Sequence, residues 1–134
     1  MIRVLFRWLA VLTLGTAACH TQPSFVQVDA TAEQLRQAAI AVLAEGGDVS
    51  QEGPELWTTW RDDPSVRELW KRPGNVLEVQ SKYQVSIRDG EIAVDAQAKV
   101  LVYFGVRRRT WELLDAQRLE EQLLQRIFAR ISKP

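Results

Sequence analysis

One cysteine and one histidine are all that this 134-residue chain holds of the side chains that most often bind metals or serve as nucleophile and base. A lone His20 cannot assemble a histidine-based triad or a cluster of histidine metal ligands. A lone Cys19 cannot build a disulfide framework. No glycine-rich phosphate loop is present. No apolar run reaches the about 20 residues that a membrane-spanning helix needs. The 17 Lys and Arg residues balance the 17 Asp and Glu residues, so there is no basic excess of the kind that marks a nucleic-acid binder. Most familiar hydrolases and any histidine-built metal centre are excluded on these grounds. An enzyme working through carboxylates or backbone groups has no motif to support it. The acidic residues fall in turns, on polar strand faces, or among arginines along the last helix. Glu112, Glu120 and Glu121 are therefore expected on solvated faces.

What is present starts at the N-terminus. Arg3 and Arg7 give a positive start, and residues 8–19 carry no charge, the pattern of a secretion signal with a core too short to span a bilayer. Thr16, Ala17 and Ala18 stand directly before Cys19. This run resembles the lipobox of bacterial lipoproteins, with Thr16 where Leu is commonest. The resemblance implies that residues 1–18 are a signal peptide and that Cys19, carrying a covalent diacylglycerol and acyl group such as palmitate, becomes the mature N-terminus. An ordinary cleaved signal and a retained N-terminal anchor are the other two readings. His20, rather than Asp, follows the cysteine, which under the enteric sorting rule implies the outer membrane, periplasmic face. Acyl chains bury about 0.8 kcal/mol per methylene, enough for two or more to hold a protein at its membrane.

Removal of residues 1–18 leaves 116 residues with 15 basic and 17 acidic side chains, enough for one modest domain. Residues 19–24 read as a lipidated tether, and residues 25–132 as a single α+β domain. Residues 25–28 alternate like a strand but are too few to decide. Thr31 and Gln34 have capping-box spacing, and Leu35, Ala38, Ala39, Val42 and Leu43 share one helical face that ends at Gly46-Gly47. A first hairpin is expected from residues 48–51 and 55–61. Simple alternation there puts Trp57 and Trp60 on opposite faces, with Trp60 in the core. Asp63-Pro64 opens a short helical turn carrying Val66, Leu69 and Trp70.

Residues 77–88 and 91–103 flank Asp89-Gly90, a dipeptide favoured in two-residue hairpin turns. Folding there opposes Ile87 with Ile92, Val85 with Val94, Tyr83 with Ala96, Ser81 with Ala98, Val79 with Val100 and Leu77 with Val102, leaving the other face polar. A final helix, capped by Asp115, runs from about Ala116 to Ile131 with Leu119, Leu123 and Ile127 in its apolar row. The expected fold is a four-stranded antiparallel sheet packed by two helices on its apolar face, in the order α-β-β-β-β-α.

The lipobox, the short tether, the helix ending at Gly46-Gly47, the Thr58-Thr59-Trp60 strand, the long hairpin and the terminal amphipathic helix together resemble the helix-grip domains of BamC-type lipoproteins. Those are accessory subunits of the outer-membrane β-barrel assembly machinery. They carry two such domains after a long unstructured segment, whereas this chain has room for one domain and a very short tether. The resemblance is one of layout, and only Cys19 carries over as a functional residue.

The function expected from the sequence is a non-enzymatic lipoprotein anchored in the outer membrane, an interaction or accessory module in cell-envelope assembly that meets an envelope protein partner. No metal or cofactor beyond the acyl groups is implied, and no nucleic acid. The alternative is a small periplasmic carrier with an apolar ligand between the sheet and the terminal helix. For partner contact the candidates are Trp57, Trp70, Arg107, Arg108 and Arg109, since aromatic and cationic side chains together are typical of interfaces. The bland reading makes the three arginines a solvated connection with Trp111 tucked into the core.

Overall fold

A computed structural model describes residues 4–5, 24–105 and 108–131. Cys19, His20 and Arg107 lie outside the described residues, and with them the expected lipidation point.

The long hairpin is the centre of the molecule. Strands β6 (Asn75–Arg88) and β7 (Glu91–Tyr103) pair antiparallel across the Asp89-Gly90 turn, where Gly90 takes a φ of +73°, as this turn requires. The expected pairs hold from Ile87 opposite Ile92 to Val79 opposite Val100. They fail at the far end, where a bulge leaves Val76, not Leu77, opposite Val102. Leu77 is left exposed, because one extra residue turns a side chain out of the alternation.

The expected four-stranded sheet is an undercount. Seven antiparallel strands lie between Ser24 and Leu114, and the two-residue pairing of β1 (Val4–Leu5) with β2 (Ser24–Val28) adds an eighth inside the stretch read as a signal. Each outer edge of the hairpin is lined by two short strands in tandem. On β6 these are β4 (Glu55–Trp57), itself paired to β3 (Ser50–Glu52), and β5 (Arg61–Asp62). On β7 they are β2 against residues 91–94 and β8 (Arg109–Leu114) against residues 98–103. Strands this short are recognisable only by the partner that completes their hydrogen bonds, which is why local pattern leaves β2 undecided and misses β5 and β8.

Helix α1 (Ala32–Ala44) begins with the expected capping box of Thr31 and Gln34. Its start is also tied to the hairpin turn, since the Ala32 amide donates to the Asp89 carboxylate at 2.8 Å. At its other end Arg61 reaches across and donates to the Leu43 carbonyl at 2.6 Å, beside the Gly46 amide that donates to the same oxygen at 3.2 Å. A Cβ on Gly46 would come within 2.8 Å of the Arg61 guanidinium carbon. A short 3₁₀ helix (Pro64–Leu69) is capped by Asp63 and buries Val66. Helix α2 (Gln117–Ile131) starts where the Gln117 amide donates to Asp115.

Both α-helices lie on the same side of the sheet. Leu35, Ala39 and Leu43 of α1 and Leu119, Leu123 and Ile127 of α2 join Val85, Ile87, Ile92, Val94, Ala96 and Ala98 in one core. The small side chains at Ser81, Ala96 and Ala98 let the helices approach closely. Among the described residues the opposite face of the sheet carries no helix.

Candidate interaction surface

Strand parity decides which side chains reach the helix-free face. Residues opposite one another in an antiparallel pair share a face, so Lys82, Gln84 and Gln80 of β6 lie there with Gln97, Lys99 and Leu101 of β7, and with Trp111 and Leu113 of β8. Trp60 joins them, contrary to the core position expected for it. Thr58 still follows the β4 alignment, donating its amide to the Tyr83 carbonyl and accepting the Tyr83 amide on Oγ1. By Arg61 the partner is Ser81, so three residues on this strand answer two on β6. That extra residue reverses the parity, sending Trp60 outward and Arg61 inward.

The result is a row of alternating indoles and ammonium groups across the open face. The Lys99 ammonium lies 4.3 Å from the centre of the Trp60 ring and 4.4 Å from that of Trp111. The Lys82 ammonium lies 5.0 Å from the Trp60 ring. Cations over indole faces are attracted by the ring quadrupole, at about 0.5–1 kcal/mol for an exposed pair. Trp111 is 41% exposed and Leu113 is 74% exposed, so the core position expected for Trp111 is also corrected. Among the described residues the exposed large apolar side chains are Leu77, Phe104, Trp111 and Leu113. All four belong to the half of the sheet where β7 pairs with β8. A clustering of this kind marks a contact surface more than scattered single residues do.

The sequence-derived candidates fall in different places. Arg108 is exposed in the β7–β8 turn, where its carbonyl accepts the Phe104 amide, and Arg109 opens β8 opposite Tyr103 on the helix-free face. Trp70 follows the 3₁₀ helix near the same end, with the Arg72 guanidinium 4.4 Å from its ring centre. Arg72 in turn pairs with Glu112 of β8 at 3.7 Å. Trp70 is nonetheless partly buried against the core, and its Nε1 is buried with no hydrogen-bond partner among the described residues. Trp57 stands apart, opposite Gln84, about 30 Å along β6 from Asn75 at roughly 3.3 Å per residue. The structure therefore brings Trp70, Arg108 and Arg109 to one end and leaves Trp57 out. Lys82, Lys99, Trp60, Trp111 and Leu113 were missed, and the alternation of β8 was the signal available for the last two.

A second feature lies beneath the helices. Glu120 of α2 is fully buried, contrary to the solvated position expected for it. Between β2 and β8 the outer edge of β7 has a gap at residues 95–97. The Ala96 amide in this gap donates to Glu120 Oε2 at 2.8 Å, and the Ser24 hydroxyl donates to Oε1 at 3.0 Å. A backbone N–H without a strand partner is costly to bury, and the carboxylate supplies the missing acceptor. Burial pushes the Glu120 carboxyl up to about 7, against the opposing pull of the Ala96 and Ser24 hydrogen bonds. Periodicity carried the clue, since Ala116, Leu119, Glu120, Leu123, Leu124 and Ile127 form one buried stripe with Glu120 inside it.

Among the described residues no group of three or more His, Cys, Asp or Glu side chains converges as a metal site, and no helix is long and apolar enough to cross a membrane. An open depression of about 280 Å³ lies where α1 meets the end of α2, lined by Gln34, Gln37, Ala38, Arg130 and Ile131. Comparison with protein families, curated proteins and solved structures finds no match to this chain.

Proposed function

We propose that this chain is a non-enzymatic lipoprotein of the outer membrane, anchored through Cys19 at the periplasmic face and serving as an interaction or accessory module in cell-envelope assembly, with an envelope protein as its partner. The observation that carries the reading is the helix-free face. A sheet face that only meets water is served by polar side chains, whereas this one sets Trp60, Trp111 and Leu113 among lysines. An anchored domain meets its partners at high effective concentration, so a surface of modest affinity suffices. The BamC-like layout supports a place in outer-membrane protein assembly. The carrier alternative needs volume between sheet and terminal helix, and Leu119, Leu123 and Ile127 fill that interface, each at most 2% exposed.

Two measurements test the proposal. Intact masses of the protein from its native membrane fraction are compared for wild type and Cys19→Ala. A chain starting at Cys19 with added acyl groups, lost in the variant, is expected; an unacylated product in both rejects the anchor. Cells lacking the chain are then assayed for folded outer-membrane barrel protein. A reduced yield, restored by wild type but not by a Trp111→Ser/Leu113→Ser variant, is expected, and an unchanged yield rejects the assembly role.

A further inference from the structure

The sheet ends in β3 and β5 on one side and in β1 and β8 on the other, and the two sides are finished differently. β3 and β5 are three and two residues long, and Ser50, Gln51, Glu52, Arg61 and Asp62 are all polar. Short polar margins of this kind discourage a further strand. β8 is six residues long, contains no Gly, Pro or Lys, and pairs with β7 alone. It leaves Trp111 and Leu113 exposed, and its one acid, Glu112, is drawn to Arg72.

The parity of hydrogen bonding fixes which backbone groups β8 offers. The Phe104 amide donates to the Arg108 carbonyl, and in an antiparallel pair every second residue turns both its amide and its carbonyl to the same neighbour. Thr110, Glu112 and Leu114, opposite Val102, Val100 and Ala98, therefore bond to β7. The Ala96 amide, in step with Ala98 and Val100, points out of the same edge of β7 toward Glu120, as this parity requires. Arg109, Trp111 and Leu113 turn their amides and carbonyls outward, where no strand answers them among the described residues.

This layer of the sheet does accept a strand. β2 and β8 lie in tandem along β7, and on the outer edge of β2 the chain's own β1 pairs antiparallel, with Val4 opposite Val28 and Leu5 opposite Gln27. A strand added to β8 continues the line of β1. Its side chains opposite Leu113 and Trp111 share the helix-free face with them, so apolar residues belong there and an acid belongs opposite Arg109. A second copy of β8 does not meet that pattern. Antiparallel pairing centred on Trp111, the register that joins most of the strand, sets Arg109 against Leu113.

We infer that the outer edge of β8 is a strand-addition site, which takes an extended segment of the partner protein in antiparallel pairing, with apolar side chains opposite Leu113 and Trp111 and a carboxylate opposite Arg109. The inference deepens the reading of this half of the sheet as a protein contact and rests on that reading. Backbone bonds to Arg109, Trp111 and Leu113 supply affinity, and the alternate side chains supply choice. Strands of outer-membrane barrels alternate apolar and polar residues, so an unfolded barrel chain carries segments of this kind.

The probe is the peptide Val-Thr-Val-Thr-Glu, acetylated and amidated at its ends, added to the full chain purified in detergent from its membrane fraction. Without peptide, the Trp111 and Leu113 amides are expected to exchange with solvent far faster than those of Glu112 and Leu114, and the peptide is expected to slow them. N-methylation of both Val amides, whose N–H groups face β8, is expected to weaken binding about tenfold or more, and N-methylation of both Thr amides, which face away, by less than about threefold. Slow exchange at Trp111 and Leu113 before any peptide is added means that the edge is already covered and overturns the inference. So does a peptide that leaves these amides unchanged, or an equal loss from both N-methylated peptides. Protection that grows with protein concentration alone overturns it in favour of a second copy. The yield of folded barrel protein in cells tests the assembly role separately: an unchanged yield with the peptide bound rejects that role alone, and a reduced yield without peptide binding rejects the edge alone.

Discussion

The two faces of the central hairpin are built from the same strands and treat polar atoms in opposite ways. On the covered face the buried side chains of Thr58, Ser81 and Glu120 are all committed, with the Trp70 Nε1 at the margin of the core as the exception among the described residues. Thr58 accepts the Tyr83 amide, Ser81 donates to Asp63, and Glu120 accepts from Ala96 and Ser24. On the free face the polar groups of Lys82 and Lys99 are held against indole rings and remain within reach of solvent. The first arrangement suits a core, where an unpaired polar group costs about 1–3 kcal/mol. The second suits a surface whose contacts are made later, with a partner absent from the fold itself. Stability and the proposed contact thereby fall on opposite faces, and mutations on the two faces are expected to separate them.

The largest effect is expected from Glu120→Ala. The change leaves the buried Ala96 amide without an acceptor and opens space beneath α2, for a combined loss of about 3–5 kcal/mol by urea denaturation. A loss under about 1 kcal/mol would mean that water replaces the carboxylate in the gap. Next is the pH dependence of the wild type. The folded-state carboxyl of Glu120 titrates at about 7, above its unfolded value. The folded chain therefore binds the extra proton between the two values, and the associated stability is complete below the unfolded value and lost as pH rises through about 7. A fall on the order of 2 kcal/mol between about pH 5 and about pH 8 is expected from this group. Glu120→Gln should flatten that slope, because its amide can accept from Ala96 and donate to the Ser24 oxygen at every pH.

Thr58→Val keeps the shape of the covered face but removes the acceptor of the Tyr83 amide, and should cost about 1–2 kcal/mol. Leu113→Ser on the free face marks the other extreme, with a change within about 0.5 kcal/mol in the same assay. If Leu113→Ser destabilised the chain as much as Thr58→Val, the division between the faces would fail. Comparable stability with altered barrel yield would sharpen it.

How far each face could be read in advance follows from where its information lies. The covered face of the hairpin was legible because Asp89-Gly90, the alternation and the opposed charges all act between near neighbours in the chain. Both α-helices were legible for the same reason, through Thr31, Gln34 and Asp115. The free face was not, because Trp60 owes its direction to an extra residue in the strand pairing after Thr58. Nothing in the side chains from Thr58 to Arg61 announces that residue, and it exists only as a mismatch with β6. Trp111 is expected in the core and Leu113 has no expected role, because β8 becomes a strand only against β7. Arg109 was singled out for its charge, and its place beside Lys99 and Tyr103 follows from the same pairing.

Glu120 shows both halves of the matter in one residue. Its place in the apolar stripe of α2 is written in the helical period, since it stands four residues after Ala116 and four before Leu124. That the stripe could tolerate a carboxylate depended on a gap in the edge of β7 between two strands far apart in the chain. Periodicity, capping and turn chemistry are local and were decided by the order of amino acids. Edge pairing, bulges and the partners of buried polar groups come from contacts between distant segments, so only the tertiary structure decided that Trp60, Trp111 and Leu113 would lie on the free face and that Glu120 would be sealed in the core.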